Sequence, residues 1–321
     1  MNLLIQRRSM AKPPSSLARR HTPQVTEADK ILTGETVELS SGGSLSKVAT
    51  GWLRKTGLAL CLGAALAGSF TPPATAHSVL NSQEPAVVLS IDNKAESALL
   101  KESRTSSQLV ELHQGRSGQP TMITVHGIHG SPLSLQPVAQ TAADDGYHVK
   151  AFAYHDSYRR QTDMSLELAE DVAQWRQDNP EAPLVLVGHS MGARVVLGAM
   201  KHLKDTNQLG DAPYQLKLVA PVLGGVESAN HARHAPDWLA EKIPDVAPSK
   251  DMGSRSDFQG IIESAQFGDN VTADIYLGDT DHVVRPDSSG FKTIQSNLKA
   301  EVHQFQGGHS DIMDDLWNIL E

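Results

Sequence analysis

Three observations predict a doubly wound α/β sheet, mostly parallel and flanked by helices, over residues 119–321. Apolar, β-branched runs alternate with helical patterns throughout that span. Several of the runs are apolar almost from end to end, as strands covered on both faces by helices must be. The segments between them repeat apolar residues at helical spacing, giving each helix one stripe to bury. Such a sheet gathers ligands at the carboxyl ends of its strands, so chemistry is sought there.

Taken in order, residues 1–50 are polar, rich in Ser, Thr and Pro and without apolar periodicity. That is the composition of a disordered leader, or of a start placed too early. Residues 51–76 differ. Arg54 and Lys55 precede the apolar stretch TGLALCLGAALAGSF (56–70), and Ala74-Thr75-Ala76 follows it, the three-part layout of a secretory signal. The apolar run is shorter than the roughly 18–20 residues that span a bilayer. Cleavage after Ala76 is expected to leave an exported chain beginning at His77. That chain lacks Cys61, the only cysteine, and with it any disulfide. Residues 77–118 form an N-terminal edge segment with AVVLSI (86–91) and QLVEL (108–112) as edge-strand candidates.

The expected strands of the main domain are TMITV (121–125), HVKAFAY (148–154), PLVLVG (183–188), QLKLVAPV (215–222), VTADIYLG (271–278) and AEVHQF (300–305). In SLELAEDVAQW (165–175), Leu168, Val172 and Trp175 share one helical face. Ile312, Leu316, Ile319 and Leu320 do the same in a last helix that Ser310 is placed to cap. Residues 223–268 break the rhythm. An insertion of that length between two strands is too long for a plain connection.

The charge is uneven. Residues 1–76 carry nine Lys and Arg against four Asp and Glu, or +5, and the remainder nineteen against thirty-three, or −14. An acidic body argues against nucleic acid and anionic membranes as partners.

The most informative stretch is LVLVGHSMGARVV (184–196). A strand ends at Gly188 and a helix starts just beyond Ser190, so the serine sits in a sharp turn whose strained backbone lifts its hydroxyl above the sheet. Gly188 and Gly192 remove the side chains that would clash there. The helix behind Ser190 offers free amides and a partial positive charge to an oxyanion, and the amide of Met191 is the first candidate donor. His189 is read as a structural residue of the turn.

A serine hydroxyl is a weak nucleophile until a base takes its proton. In this turn context the acid and then the histidine follow the serine in the chain. YLGDTDHVVRP (276–286) ends a strand with Asp279 and Asp281, and FQGGHSDI (305–312) places His309 after the last strand. His309 is the expected base and Asp281 the carboxylate that orients it, with Asp279 as the rival acid and His282 as the rival base. The loop HGIHGS (126–131) supplies the second oxyanion donor, for which the amide of Ile128 is the candidate. A metal-based alternative takes His126 and His129, or His231 and His234, as ligands. No cysteines or carboxylates accompany them at ligand spacing, so neither metal nor cofactor is expected.

With HGIHGS, GHSMGA, GDTDHVVRP and GGHS in that order, the chain resembles the α/β-hydrolase superfamily, in its lipase and esterase branch. It is similar there to lipases of the GPI inositol-deacylase-like group. YHDSYRR (154–160), APVLGGVESA (220–229) and KDMGSRSDF (250–258) add to the likeness. Two details depart from it: Gly192-Ala193 stands where many relatives have Gly-Gly, and PVLGG lacks a histidine after the proline. The resemblance implies a serine hydrolase acting on small-molecule or lipid esters through an acyl-enzyme. It also implies a cap whose APDWLAEKIPDV stretch (235–246), with Trp238, Leu239 and Ile243, covers an acyl pocket and touches lipid transiently. Amidase or thioesterase chemistry uses the same groups, and a non-catalytic binding protein on the same scaffold is the competing class.

Overall fold

The computed structural model describes residues 93–240 and 242–311. The leader, the signal-like segment, the AVVLSI run and the final helix after residue 311 lie outside the described residues. Within them, helix α1 (Asn93–Glu102) leads to strand β1 (Gln108–His113), and then β2 (Thr121–Val125), α2 (Gln136–Asp144) and β3 (His148–Ala153) follow. Next come α3 (Gln161–Asp178), β4 (Leu184–His189), α4 (Met191–Asp205) and β5 (Tyr214–Val219). The insertion holds a 3-10 helix (Glu227–His234), α5 (Asp237–Ala240), α6 (Val246–Met252) and α7 (Asp257–Glu263). The chain returns through β6 (Val271–Gly278), α8 (Ser289–Leu298) and β7 (Glu301–Phe305).

The seven strands order as β1-β3-β2-β4-β5-β6-β7. Only β1 runs antiparallel, against β3; every other pair is parallel. All five residues of β2 are buried, as is β4 except for His189, so these strands are covered on both faces, as their unbroken apolar runs predicted. In α3 the buried stripe runs Met164, Leu168, Val172 and Trp175, and in α4 it includes Val195, Val196, Ala199 and Leu203. Each fully buried Leu or Val on these faces contributes about 1.5–3 kcal/mol.

Register aligns the carboxyl ends. Val125 pairs with Gly188, His189 with Val219, Val219 with Tyr276 and Gly278 with Phe305. The loops after β2, β4, β6 and β7 therefore leave the sheet along one edge, and these loops carry Ile128, Ser190, Asp281 and His309.

The insertion is stitched to the body at its second half. Arg194 of α4 is fully buried and bonds the Gln161 and Gln259 side chains and the carbonyls of Val222 and Asp251. Burial pulls its pKa down to about 10, which still leaves it charged at neutral pH. The buried Asp251 carboxylate accepts from Arg160, and from the amide and hydroxyl of Thr162 at the start of α3. The first half is looser. There the described helix is the single turn of α5, which begins just after Pro236. Proline starts a helix readily but cannot extend one. Trp238 remains 53% exposed, while Ile243 packs against Ala235, Ala240, Val246 and Ala247.

Candidate active site

Ser190 occupies the strand–helix turn with φ 53° and ψ −116°, a conformation that side-chain-bearing residues adopt only when the surroundings enforce it. The enforcement is visible on each side. The Ser190 amide donates to the Val219 carbonyl at 2.9 Å. A Cβ on Gly188 would lie 2.6 Å from Ala193 Cα, and one on Gly192 would lie 2.3 Å from the carbonyl oxygens of Val125 and His126. Both flanking positions thus require glycine, because the first turn of α4 presses on β4 and on the end of β2.

Ser190 Oγ lies 2.8 Å from His309 Nε2, and His309 Nδ1 lies 2.8 Å from Asp281 Oδ2. These three residues, distant in the chain, form one continuous hydrogen-bonded line. Asp281 is anchored at its other oxygen, which accepts the amides of Val283 at 2.7 Å and Val284 at 3.1 Å. Burial pushes the Asp281 carboxyl up, but the His309 hydrogen bond and charge and the two amides outweigh it and hold the group below the usual carboxylate range. A carboxylate can only accept, so Asp281 takes its bond from His309 Nδ1 and leaves Nε2 facing the Ser190 hydroxyl.

The rivals for these positions are engaged elsewhere. Asp279 Oδ1 accepts the Gly307 amide at 2.9 Å, which braces the loop leading to His309. His282 is exposed. His189 is the residue whose part the sequence reading understated. Its Nε2 donates to the His309 carbonyl at 3.2 Å, and its ring lies 5.3 Å from that of His309. Burial and the neighbouring His309 push its pKa down to about 4, so the ring is neutral at physiological pH.

The oxyanion candidates flank the serine. Met191 is the first residue of α4, so its amide has no carbonyl four residues back to bond. Ile128 lies in the turn Gly127–Gly130, closed by the Gly130 amide on the Gly127 carbonyl at 3.1 Å. A Cβ on Gly127 would stand 3.0 Å from Ser190 Cβ, which places this turn directly against the serine. His126, just before it, stacks on Tyr154 at 4.0 Å and donates through Nδ1 to the Gly127 carbonyl at 2.8 Å, while Tyr154 bonds the His126 carbonyl. Burial lowers the His126 pKa to about 4.

His126 and His129, weighed above as metal ligands, take separate partners: Gly127 O and Asp245 respectively. Among the described residues one group brings ligand atoms together, Asp274, Glu301 and His303, all within 4.8 Å. It sits across β6 and β7, apart from the serine in the fold, and the Lys217 ammonium already lies 3.4 Å from Asp274. Among the described residues no helix is long and apolar enough to cross a membrane.

Comparison with known proteins follows from this geometry. Among curated proteins none matches the chain. Among solved structures it is similar to a Bacillus licheniformis lipase, at 15% identity over 67% of this chain and 95% of that one, with a TM-score of 0.48. It is also similar to a Pyrobaculum calidifontis esterase, at 13% identity over 71% and 92%, TM-score 0.47. A thioesterase domain from the curacin biosynthetic pathway aligns at 19% identity over 67% and 93%, TM-score 0.43. The family described as serine aminopeptidase, S33 (Hydrolase_4) matches residues 117–280, which is about half of the chain and runs from β2 through the end of β6. The chain belongs to this serine aminopeptidase S33 family of α/β hydrolases.

Proposed function

We propose that the chain is an exported serine hydrolase that cleaves carboxylic esters through an acyl-enzyme. The observation that carries this reading is the Ser190–His309–Asp281 line, with both heavy-atom distances at 2.8 Å. Ser190 Oγ attacks the ester carbonyl as His309 Nε2 takes its proton, and Asp281 stabilises the imidazolium. The carbonyl oxygen, now an oxyanion, accepts hydrogen bonds from the amides of Ile128 and Met191. Collapse breaks the bond to the alcohol, which leaves with the proton from His309. A water, deprotonated by His309, then attacks the acyl-serine and releases the acid and the free serine. No cofactor enters these steps.

The exposed Trp238 on the short α5, in the half of the insertion that is less tied down, supports a cap that meets acyl chains or a lipid surface. Kinship with GPI inositol-deacylase-like lipases rests on the sequence motifs alone. Export rests on the 51–76 segment. It predicts that protein recovered outside the cytoplasm begins at His77, and an intact leader on cytoplasmic protein would overturn it.

A second reading takes its support from the family description, serine aminopeptidase, because amide cleavage uses the same groups. A fluorophosphonate probe followed by a substrate panel tests both. Labelling that disappears in Ser190→Ala supports catalysis, and absence of labelling on folded protein favours a binding protein. Faster turnover of p-nitrophenyl esters, acetate to palmitate, than of aminoacyl p-nitroanilides supports the ester reading. The opposite order supports the aminopeptidase.

A further inference from the structure

Two residues in left-handed backbone conformation face each other between the Gly127–Gly130 turn and the insertion. His129 has φ 59° and Asp245 has φ 66°, and the His129 Nε2 lies 3.0 Å from Asp245 Oδ1. Side-chain-bearing residues occupy this region far less readily than glycine does. His129 stands at the third position of a turn closed by the Gly130 amide on the Gly127 carbonyl, and the bridge to Asp245 ties that position to the insertion. Asp245 is itself tied down, since its amide donates to the Ser157 carbonyl at 2.6 Å. His129 is exposed and Asp245 half-buried, with side-chain exposures of 32% and 26%, so what the bridge contributes is geometry rather than a strong ion pair. The hydrogen bond to Asp245 also raises the His129 pKa above its usual value, against the pull of burial.

We propose that the His129–Asp245 bridge positions the oxyanion turn, so that the insertion, 116 residues away in sequence, helps assemble the active site. The inference rests on the serine-hydrolase reading above. Ile128, the candidate oxyanion donor, immediately precedes His129 in the turn, and Gly127 abuts Ser190. A rotation of the turn moves the Ile128 amide relative to the reacting carbonyl, and misplacement by about 1 Å costs on the order of 100-fold in rate. His129 and Asp245 touch neither substrate nor the reacting atoms; they act through the turn. Asp156, beside Ser157, is buried at the same junction and shifts His129 in the same direction as Asp245 does.

The test uses His129→Gly and Asp245→Gly in the full chain, with p-nitrophenyl butyrate as substrate. Glycine keeps the left-handed backbone free of strain at both positions, so each variant removes the bridge and leaves the fold, which thermal melting checks. The expected result is a fall in kcat of about 10-fold with KM within about twofold, and a parallel loss of affinity for a boronic acid that mimics the tetrahedral state. The double variant is expected to be no worse than either single, and Asp245→Asn, which retains an acceptor, to recover most of kcat. Folded single variants with kcat within twofold of wild type, or effects that multiply in the double, would overturn the inference while leaving the hydrolase reading intact. A wild-type chain that neither labels with fluorophosphonate nor turns over any ester or amide would overturn both.

Discussion

Asp279 and Asp281 leave the same strand end two residues apart and serve different partners: Asp281 Oδ2 receives His309 Nδ1 at 2.8 Å, while Asp279 Oδ1 receives the Gly307 amide at 2.9 Å. One carboxylate bonds the His309 ring and the other braces the loop that carries it. Replacing Asp281 with Asn keeps the shape but favours the wrong His309 tautomer, and kcat/KM is expected to fall by about 10⁴. Asp279→Ala removes one loop hydrogen bond and is expected to cost about 10-fold or less. Steady-state kinetics of the two variants ranks them, and the reverse order would reassign the acid.

The neutral ring of His189 ties the strand that bears Ser190 to the backbone of His309. His189→Phe preserves bulk and removes the Nε2–H donor to the His309 carbonyl. The loss of one hydrogen bond is expected to lower kcat by about threefold to tenfold. His189→Gln, which restores an N–H donor, is expected to recover part of it. Equal activity of the Phe variant and wild type would show that this bond does not hold the base in place.

Asp156 gives a pH signature. Burial pushes its carboxyl up to about 6 from 3.8, with His129 and Ser157 pulling less strongly the other way. A raised folded pKa means that the stability contributed by the protonated form is fully present below 3.8 and is lost as pH rises through about 6. Asp156→Asn does not titrate, so its stability relative to wild type is expected to grow by about 3 kcal/mol between acid and neutral pH. Denaturant unfolding of both proteins across roughly pH 3–8 measures the gap, and a gap that stays constant would contradict the assignment.

The Asp251 carboxylate pins the insertion to the start of α3 through Arg160 and Thr162. Asp251→Ala leaves the part-buried Arg160 guanidinium and the Thr162 amide without their acceptor and is expected to cost about 3–5 kcal/mol of unfolding free energy. A loss below about 1 kcal/mol would mean that the insertion is held chiefly by Arg194 and its apolar contacts.

The elements that determine the fold were legible because their signals are local. The apolar runs of β2, β4 and β5 announce strands covered on both faces, and Gly188 and Gly192 announce a turn that only one backbone path satisfies. Ser190, Asp281 and His309, singled out in the sequence by order and by position at strand ends, are bonded in one line. The bonds that hold them were not legible there. Nothing near His189 in sequence says that its ring reaches the His309 carbonyl, and nothing near His129 points to Asp245, because each contact is made by folding across more than a hundred residues.

The most direct test of the central claim is a single-turnover reaction with p-nitrophenyl butyrate, quenched in acid and read by mass spectrometry of the digested protein. The account predicts one butyryl group, on the peptide that contains Ser190, and none in Ser190→Ala or His309→Ala. Acyl transfer to a different residue, or ester turnover that survives Ser190→Ala, would contradict it.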